Sequence, residues 1–317
     1  MKPLIIVLII ICSLIILLGL FLFFIYAKIF LMTKRSKKKG LSYDLPYFSR
    51  DYKDIILENA KKVEAIPHTD VYVKSFDGLM LHGYYYHVSD DSPLEVDFHG
   101  YKGQAFRDFS GGALMAIKSG YNLLLVEHRA HGFSDGHTIT FGIKERRDVK
   151  TWVEYANSNL LKNNKQIILT GISMGAATVL MASSIEMENV KGIIADCPYS
   201  SPKEIILNTI KNMKINEKIV SPFVVLSAFI FGHFRINEIT ALDAVKESKY
   251  PILLIHGKDD SFVPYSMSER IKDANSNIEF HSFDKADHGL SYLVDSDRYI
   301  QIVNNFLDRI LDIKEEK

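Results

Sequence analysis

The stretch Gln166-Ile167-Ile168-Leu169-Thr170-Gly171-Ile172-Ser173-Met174-Gly175-Ala176-Ala177 decides the fold. Its first five residues are apolar and rich in β-branched side chains, the composition of a buried strand. From Ala176 to Ala182 the residues are good helix formers. A Gly-x-Ser-x-Gly pentapeptide, Gly171 to Gly175, therefore falls at a strand-to-helix turn, the context of a nucleophile elbow. The reason is steric: a serine at so sharp a turn is held in a strained backbone, and glycines at 171 and 175 let strand and helix come close. Ser173 Oγ then projects above the sheet. The Met174 N–H, in the first helical turn, is placed to meet a developing oxyanion. An ordinary Gly/Ser turn has the same local pattern, so the flanking chain must discriminate.

Upstream, Asp70–Phe76 and Leu79–Tyr86 read as strands joined at Asp77-Gly78, a hairpin signal. Tyr84, Tyr85 and Tyr86 are expected to pack in the core. Leu94–Phe98 is a further strand and runs into His99-Gly100-Tyr101-Lys102-Gly103. The loop at this position commonly supplies a second oxyanion donor, here expected from the Tyr101 N–H. Arg107–Ser119 reads as a helix weakened by Gly111-Gly112. The strand Tyr121–Val126 leads into Glu127-His128-Arg129-Ala130-His131-Gly132-Phe133-Ser134, and a helix with Trp152 on its buried face follows from Gly142 to Asn159. Downstream of the elbow, Lys191–Asp196 and Pro251–Ile255 are strands. The latter opens His256-Gly257-Lys258-Asp259-Asp260-Ser261-Phe262-Val263-Pro264. Asn277–Phe283 gives a last strand, followed by Ala286-Asp287-His288-Gly289 and a helix from Tyr292 to Leu311. Strands alternating with helices predict an α/β fold with a mostly parallel sheet covered on both faces.

Leu4 through Tyr26 is apolar and uncharged, long enough to span a bilayer, which takes about 20 residues. A signal peptide has a shorter apolar core and a small-x-small cleavage site, whereas here Lys28, Ile29, Phe30 and Leu31 follow. An uncleaved anchor is expected over 1–33, then a basic juxtamembrane connector and helix over 34–66, then the main domain over 67–317. Lys34, Arg35, Lys37, Lys38 and Lys39 outweigh Lys2, so the positive-inside rule puts the main domain on the cytoplasmic side. The same cluster suits anionic headgroups. The long interval of about 198–249 interrupts the strand–helix rhythm. Its run from Ile219 to Phe231 is short for a second span and contains Pro222, so a helical cap is expected.

The 38 Lys and Arg balance the 38 Asp and Glu, which gives no support for nucleic-acid binding. Two cysteines, Cys12 and Cys197, offer no disulfide framework. No His/Cys/Glu cluster has metal-ligand spacing, and neither a metal nor an organic cofactor is expected.

Three groups fall in the order serine, acid, histidine, each after a strand. Ser173 needs a base, His288 is suited to accept and return its proton, and Asp260 to fix the imidazole tautomer. Adjacent Asp259 is disfavoured by its spacing from His256-Gly257 and Val263-Pro264. Asp196, at the end of the preceding strand, is a lesser alternative acid. His99, His128, His131 and His256 are expected to shape loops, and Cys197 to fill core space.

With these motifs in order, the chain resembles the α/β-hydrolase superfamily over roughly Asp70 to Leu311. The loop Glu127–Ser134 is most similar to the branch of serine aminopeptidases and monoacylglycerol lipase-like esterases. That branch often carries Asp-x-Arg-Gly-x-Gly-x-Ser; here Glu127 and Ala130 replace its Asp and first Gly. The resemblance implies acyl-enzyme hydrolysis on Ser173. A carboxylic ester substrate, small or lipid-like, is the expectation. Peptide or thioester substrates remain open, as does a membrane-anchored binding protein without catalysis. Phe223, Phe229 and Phe231 of the cap are expected to line the cleft and hold an acyl chain. Oligomeric state is not readable.

Overall fold

The computed structural model describes residues 2–32, 45 and 47–311. The basic cluster Lys34–Lys39, on which the orientation expectation rests, lies outside the described residues.

Eight strands form one sheet: β1 (Thr69–Lys74), β2 (Met80–Tyr86), β3 (Leu94–Phe98), β4 (Asn122–Glu127), β5 (Ile167–Ile172), β6 (Val190–Asp196), β7 (Ile252–Gly257) and β8 (Ile278–Phe283). Their order is β1-β2-β4-β3-β5-β6-β7-β8. Only β2 runs antiparallel to both its neighbours, and from β4 through β8 the strands are parallel. The Asp77-Gly78 hairpin forms as expected, with Gly78 at φ +91°. Strands β3, β4 and β7 are buried at every residue, the consequence of helices on both faces.

Alternation along each strand sends neighbouring side chains to opposite faces. On one face Leu123, Leu125, Ile168, Ile194 and Leu253 pack against α2 (Lys53–Ala65), α3 (Ala105–Asp108), α4 (Gly112–Lys118) and, beyond them in the chain, the C-terminal helix at Ser296–Ile310. On the other, Leu94, Val96, Phe98, Leu124 and Leu169 meet α5 (Glu145–Tyr155) and α6 (Met174–Ala182). The helix expected from Arg107 is indeed cut at Gly111, where a Cβ would lie 2.3 Å from the Tyr292 ring. All nine residues of α6 are buried, so the helix after the elbow is a core element.

The interval after β6 holds α7 (Pro202–Asn212), α8 (Glu217–Ile230) and α9 (Ala241–Lys246). Helix α10 (Tyr265–Lys272) follows β7, and α11 (Ser291–Val294) precedes the C-terminal α12 (Ser296–Ile310). At the other end of the chain lies α1 (Lys2–Ile29), long and apolar enough to cross a membrane. Every residue from Pro3 to Leu18 is exposed, but its end is not a free tether. Leu22, Ile25, Tyr26, Phe30 and Met32 are buried, and the last four join the core of the sheet. The Met32 N–H donates to His137 O at 2.7 Å, the Ile139 N–H to Phe30 O at 2.8 Å, and Tyr26 Oη lies 2.6 Å from Thr138 Oγ1. Phe30 sits edge-on to Phe141 and Phe234. The expected boundary at residue 33 thus cuts behind side chains that share the main domain's core.

Candidate active site

Two glycines make the elbow possible. A Cβ on Gly171 would lie 2.4 Å from Gly175 C, and one on Gly175 only 1.7 Å from Phe98 O. These are backbone atoms of β5, β3 and α6, with no flexible side chain to yield. Ser173 is left at φ 56°, ψ −115°, outside the regions open to most residues. Its N–H donates to Asp196 O at 2.8 Å, which ties the strained turn to β6.

The elbow brings Ser173 Oγ to 2.8 Å from His288 Nε2, and His288 Nδ1 lies 2.7 Å from Asp260 Oδ2. With Nδ1–H donating to the carboxylate, Nε2 is free to accept the serine proton. Asp260 Oδ1 accepts the Phe262 and Val263 N–H groups at 2.9 and 2.7 Å. His256 Nε2 adds a contact to Oδ2 at 3.1 Å, while its Nδ1 meets Ser268 Oγ at 2.7 Å. Burial pushes the Asp260 pKa up, but the charge of His288 and the donors from His256 and His288 outweigh it and hold the carboxyl well below its usual range. Asp259 is exposed and takes no part. Asp196 instead accepts Tyr299 Oη–H at 3.2 Å, and burial raises its pKa to about 6.

Tyr101 and Met174 sit beside the serine, and among the described residues neither backbone N–H has an acceptor. The neighbouring donors on the oxyanion loop are engaged. The Gly100 N–H donates to Asp108 Oδ2 at 3.0 Å and the Lys102 N–H to His131 Nε2 at 3.2 Å. Asp108 escaped the sequence reading. Its one signal was an acid just after Gly103, where a Cβ would lie 2.0 Å from Asp108 Oδ2. Burial raises the Asp108 pKa, but Arg107, His99 and the Gly100 N–H reverse the shift and keep it ionised. Asp287 escaped as well: it accepts the N–H groups of Ser261 and His288, tying the acid loop to the base loop.

The other histidines hold loops. His99 Nδ1 contacts Gly100 O at 2.8 Å and its Nε2 accepts the His128 N–H at 3.2 Å. Burial lowers the pKa of both His99 and His128 to about 3, so each ring is neutral. Glu127 accepts the Phe133 N–H and contacts His82 Nδ1, and Arg129 pairs with Asp148 and Asp77. Ala130, where the similar branch has glycine, stands at φ 67°. Cys197 Sγ lies within 4.8 Å of ligand atoms of Asp260 and His288. Burial and the nearby Asp196 and Asp260 drive its pKa well up, so the thiol stays protonated and is a poor nucleophile or metal ligand.

A pocket of about 410 Å³ is lined by Ser173 and His288, and by apolar Ile56, Phe109, Met115, Ile194, Leu290 and Val303. Its wall also includes Leu45 and Tyr47 from ahead of α2, with Glu95 and Asp196 among its polar members. The cap phenylalanines are not there, which corrects the expectation. Phe223 packs edge-on against Phe21 of α1 at 5.3 Å, Phe231 lies 5.4 Å from Phe23 and 5.9 Å from Tyr26, and Phe229 is 56% exposed. The helix α1 supplies the apolar partner that the cleft was expected to provide, and no feature of the cap sequence foretells that docking.

Known proteins show the same architecture. The model of the prolyl oligopeptidase family matches residues 127–314, and that of X-Pro dipeptidyl-peptidase (S15 family) matches residues 44–209. The YqkD protein of Bacillus subtilis is 29% identical over 203 residues, 62% of this chain and 65% of its own length. A thiohydrolase of Arthrinium phaeospermum is 28% identical over 41% of this chain and 42% of its own. The chain thus spans less than two thirds of each of these relatives. An esterase of Pyrococcus furiosus is 26% identical, with TM-score 0.62, covering 79% of this chain and 95% of that one. A ferulic-acid-bound protein of Butyrivibrio proteoclasticus, at 21% identity and TM-score 0.62, shares the fold over 76% of this chain and 98% of its own.

Proposed function

The chain belongs to the prolyl oligopeptidase family of serine hydrolases, and from that premise we propose that it hydrolyses carboxylic esters through an acyl-enzyme on Ser173. In this reading His288 Nε2 takes the Ser173 proton as Oγ attacks the ester carbonyl. The N–H groups of Met174 and Tyr101 hold the oxyanion, Asp260 stabilises the imidazolium, and the proton passes from His288 to the leaving alcohol. A water then repeats the sequence on the acyl-enzyme and releases the acid. The supporting geometry is the 2.8 and 2.7 Å relay from Ser173 to Asp260.

One observation favours an ester with an acyl chain: the pocket beside Ser173 is walled mainly by aliphatic and aromatic side chains. Each methylene buried there is worth about 0.8 kcal/mol, about fourfold in kcat/KM, so medium acyl chains are preferred over acetate. The peptidase alternative has the matched family models in its favour. A free N-terminal amine, the handle of an aminopeptidase, needs an unpaired negative charge, however; of the acids lining the pocket Asp108 is paired with Arg107, and burial raises the pKa of both Glu95 and Asp196. Helix α1 is read as a retained bilayer anchor, supported by the burial of Ile25, Tyr26, Phe30 and Met32 in the domain core. Cleavage after an apolar signal would unseat those side chains.

The test uses the full chain in detergent or vesicles. Ser173→Ala is expected to abolish fluorophosphonate labelling and to lower p-nitrophenyl ester hydrolysis by at least about 1,000-fold. Labelling that persists would remove Ser173 from its role. Faster cleavage of aminoacyl p-nitroanilides than of any ester would turn the assignment to a peptidase.

A further inference from the structure

Helix α8 carries no charge from Ile219 to its end at Ile230, yet only Val224, Ser227 and Ala228 on it are buried. Half-buried Phe223 and Phe231 face α1. The side turned away from Val224, Ser227 and Ala228 shows Ile219 at 66% exposure, Leu226 at 39%, Phe229 at 56% and Ile230 at 43%. These positions follow a helical stripe, and exposed Met213 and Ile215 extend it through the preceding turn. A stripe of this size is not left in water by a soluble surface.

We propose that this face of α8 docks on the lipid bilayer beside α1, so that the protein is held by one spanning helix and one helix lying in the interface. The inference rests on the reading of α1 as a bilayer anchor, and two observations select lipid as the occupant. The first is continuity. Phe21 of α1, itself exposed, meets Phe223 in the middle of α8, so the exposed apolar surface of α1 runs on into that of α8. The second is charge. Lys211, Lys214 and Lys218 are exposed around the start of α8, with Glu217 the one acid among them. Lysines at the rim of an apolar stripe suit anionic headgroups. The 14 residues of α8 give about 21 Å of helix, short of the ~30 Å needed to span, so it lies in the interface. The cap is then a membrane foot, which also accounts for its absence from the pocket wall.

The experiment measures depth and needs no enzymatic activity, so its outcome is separable from that of the hydrolase reading. Full-length Cys12→Ser protein carrying Leu226→Cys or Phe229→Cys is labelled with an environment-sensitive fluorophore. It is reconstituted into vesicles of phosphatidylcholine and phosphatidylglycerol containing lipid with a nitroxide near the headgroup. Leu14→Cys on α1 and Ser158→Cys, at the amino ends of the strands, are the references. Quenching at positions 226 and 229 several-fold stronger than at Ser158 supports docking. Quenching no stronger than at Ser158, with Leu14 in the membrane, overturns the proposal and leaves the anchor standing. Energy transfer between copies that shields 226 and 229 from lipid assigns the face to a second copy and overturns it too. A Leu14 label outside the membrane removes the anchor and this proposal together.

Discussion

The elbow and the α1–α8 pair are both rich in apolar residues, but they use them in opposite ways. Behind Ser173 every residue of α6 is buried in protein, and the reactive polar atoms are joined in a relay from Ser173 through His288 to Asp260. In the α1–α8 pair the end of α1 and one side of α8 are packed, and the rest, equally apolar, points outward. Burial in the first region is set by backbone contacts too close for a Cβ. In the second it is set by an aromatic cluster of Phe21, Phe23, Tyr26, Phe223 and Phe231. The contrast separates two jobs that one hydrophobic pattern can do: close packing that fixes geometry, and an outward surface that selects a solvent. A hydrogen bond links the regions, where Tyr101 Oη–H donates to Ile29 O at 2.7 Å. The residue whose N–H is proposed to hold the oxyanion therefore caps the end of α1.

The sharpest way to isolate the first region is Asp260→Asn. It keeps the shape but removes the charge that orients His288, and kcat for ester hydrolysis is expected to fall about 10,000-fold with little change in melting temperature. A fall of less than tenfold would show that another group, such as Asp196, serves as the acid. Next in size is a paired test of packing. Phe30→Ala deletes a fully buried ring and should cost about 3–5 kcal/mol in denaturant unfolding. Phe229→Ala removes an exposed ring and should change stability by less than about 0.5 kcal/mol. Equal losses at the two sites would erase the distinction between the packed end of α1 and the outward face of α8. The smallest effect belongs to the joint. Tyr101→Phe removes one hydrogen bond worth about 1 kcal/mol, and is expected to lower kcat about fivefold while leaving KM in place. A change in KM with constant kcat would mean that the phenol serves the pocket and not the oxyanion loop.

The motifs that sequence makes visible are those in which a few adjacent residues carry the whole constraint. Gly171-Ile172-Ser173-Met174-Gly175 announces the elbow because the steric demand lies within five residues and the flanking strand and helix are continuous in the chain. The order of Ser173, Asp260 and His288 is legible because each follows a strand, and strands of a parallel sheet end on one side. Asp108 and Asp287 were not legible. The bond from Gly100 to Asp108 depends on how the loop after β3 folds back on itself, and Ser261 belongs to a loop that only the folded sheet brings beside Asp287.

The sequence alone determined the α/β-hydrolase architecture, the apolar length of α1 and the presence of a helical insertion after β6, since periodicity and local sterics act between near neighbours. Tertiary structure alone decided where the apolar surface goes. Phe223 and Phe231 carry the same hydrophobic signal whether they face a substrate cleft, a core or another helix. That signal has no direction, and burial of apolar area is satisfied equally by any partner. The choice of α1 as that partner turned an expected acyl-binding cap into a support for the N-terminal helix, and left the pocket to be walled by α4, α12 and the segment ahead of α2.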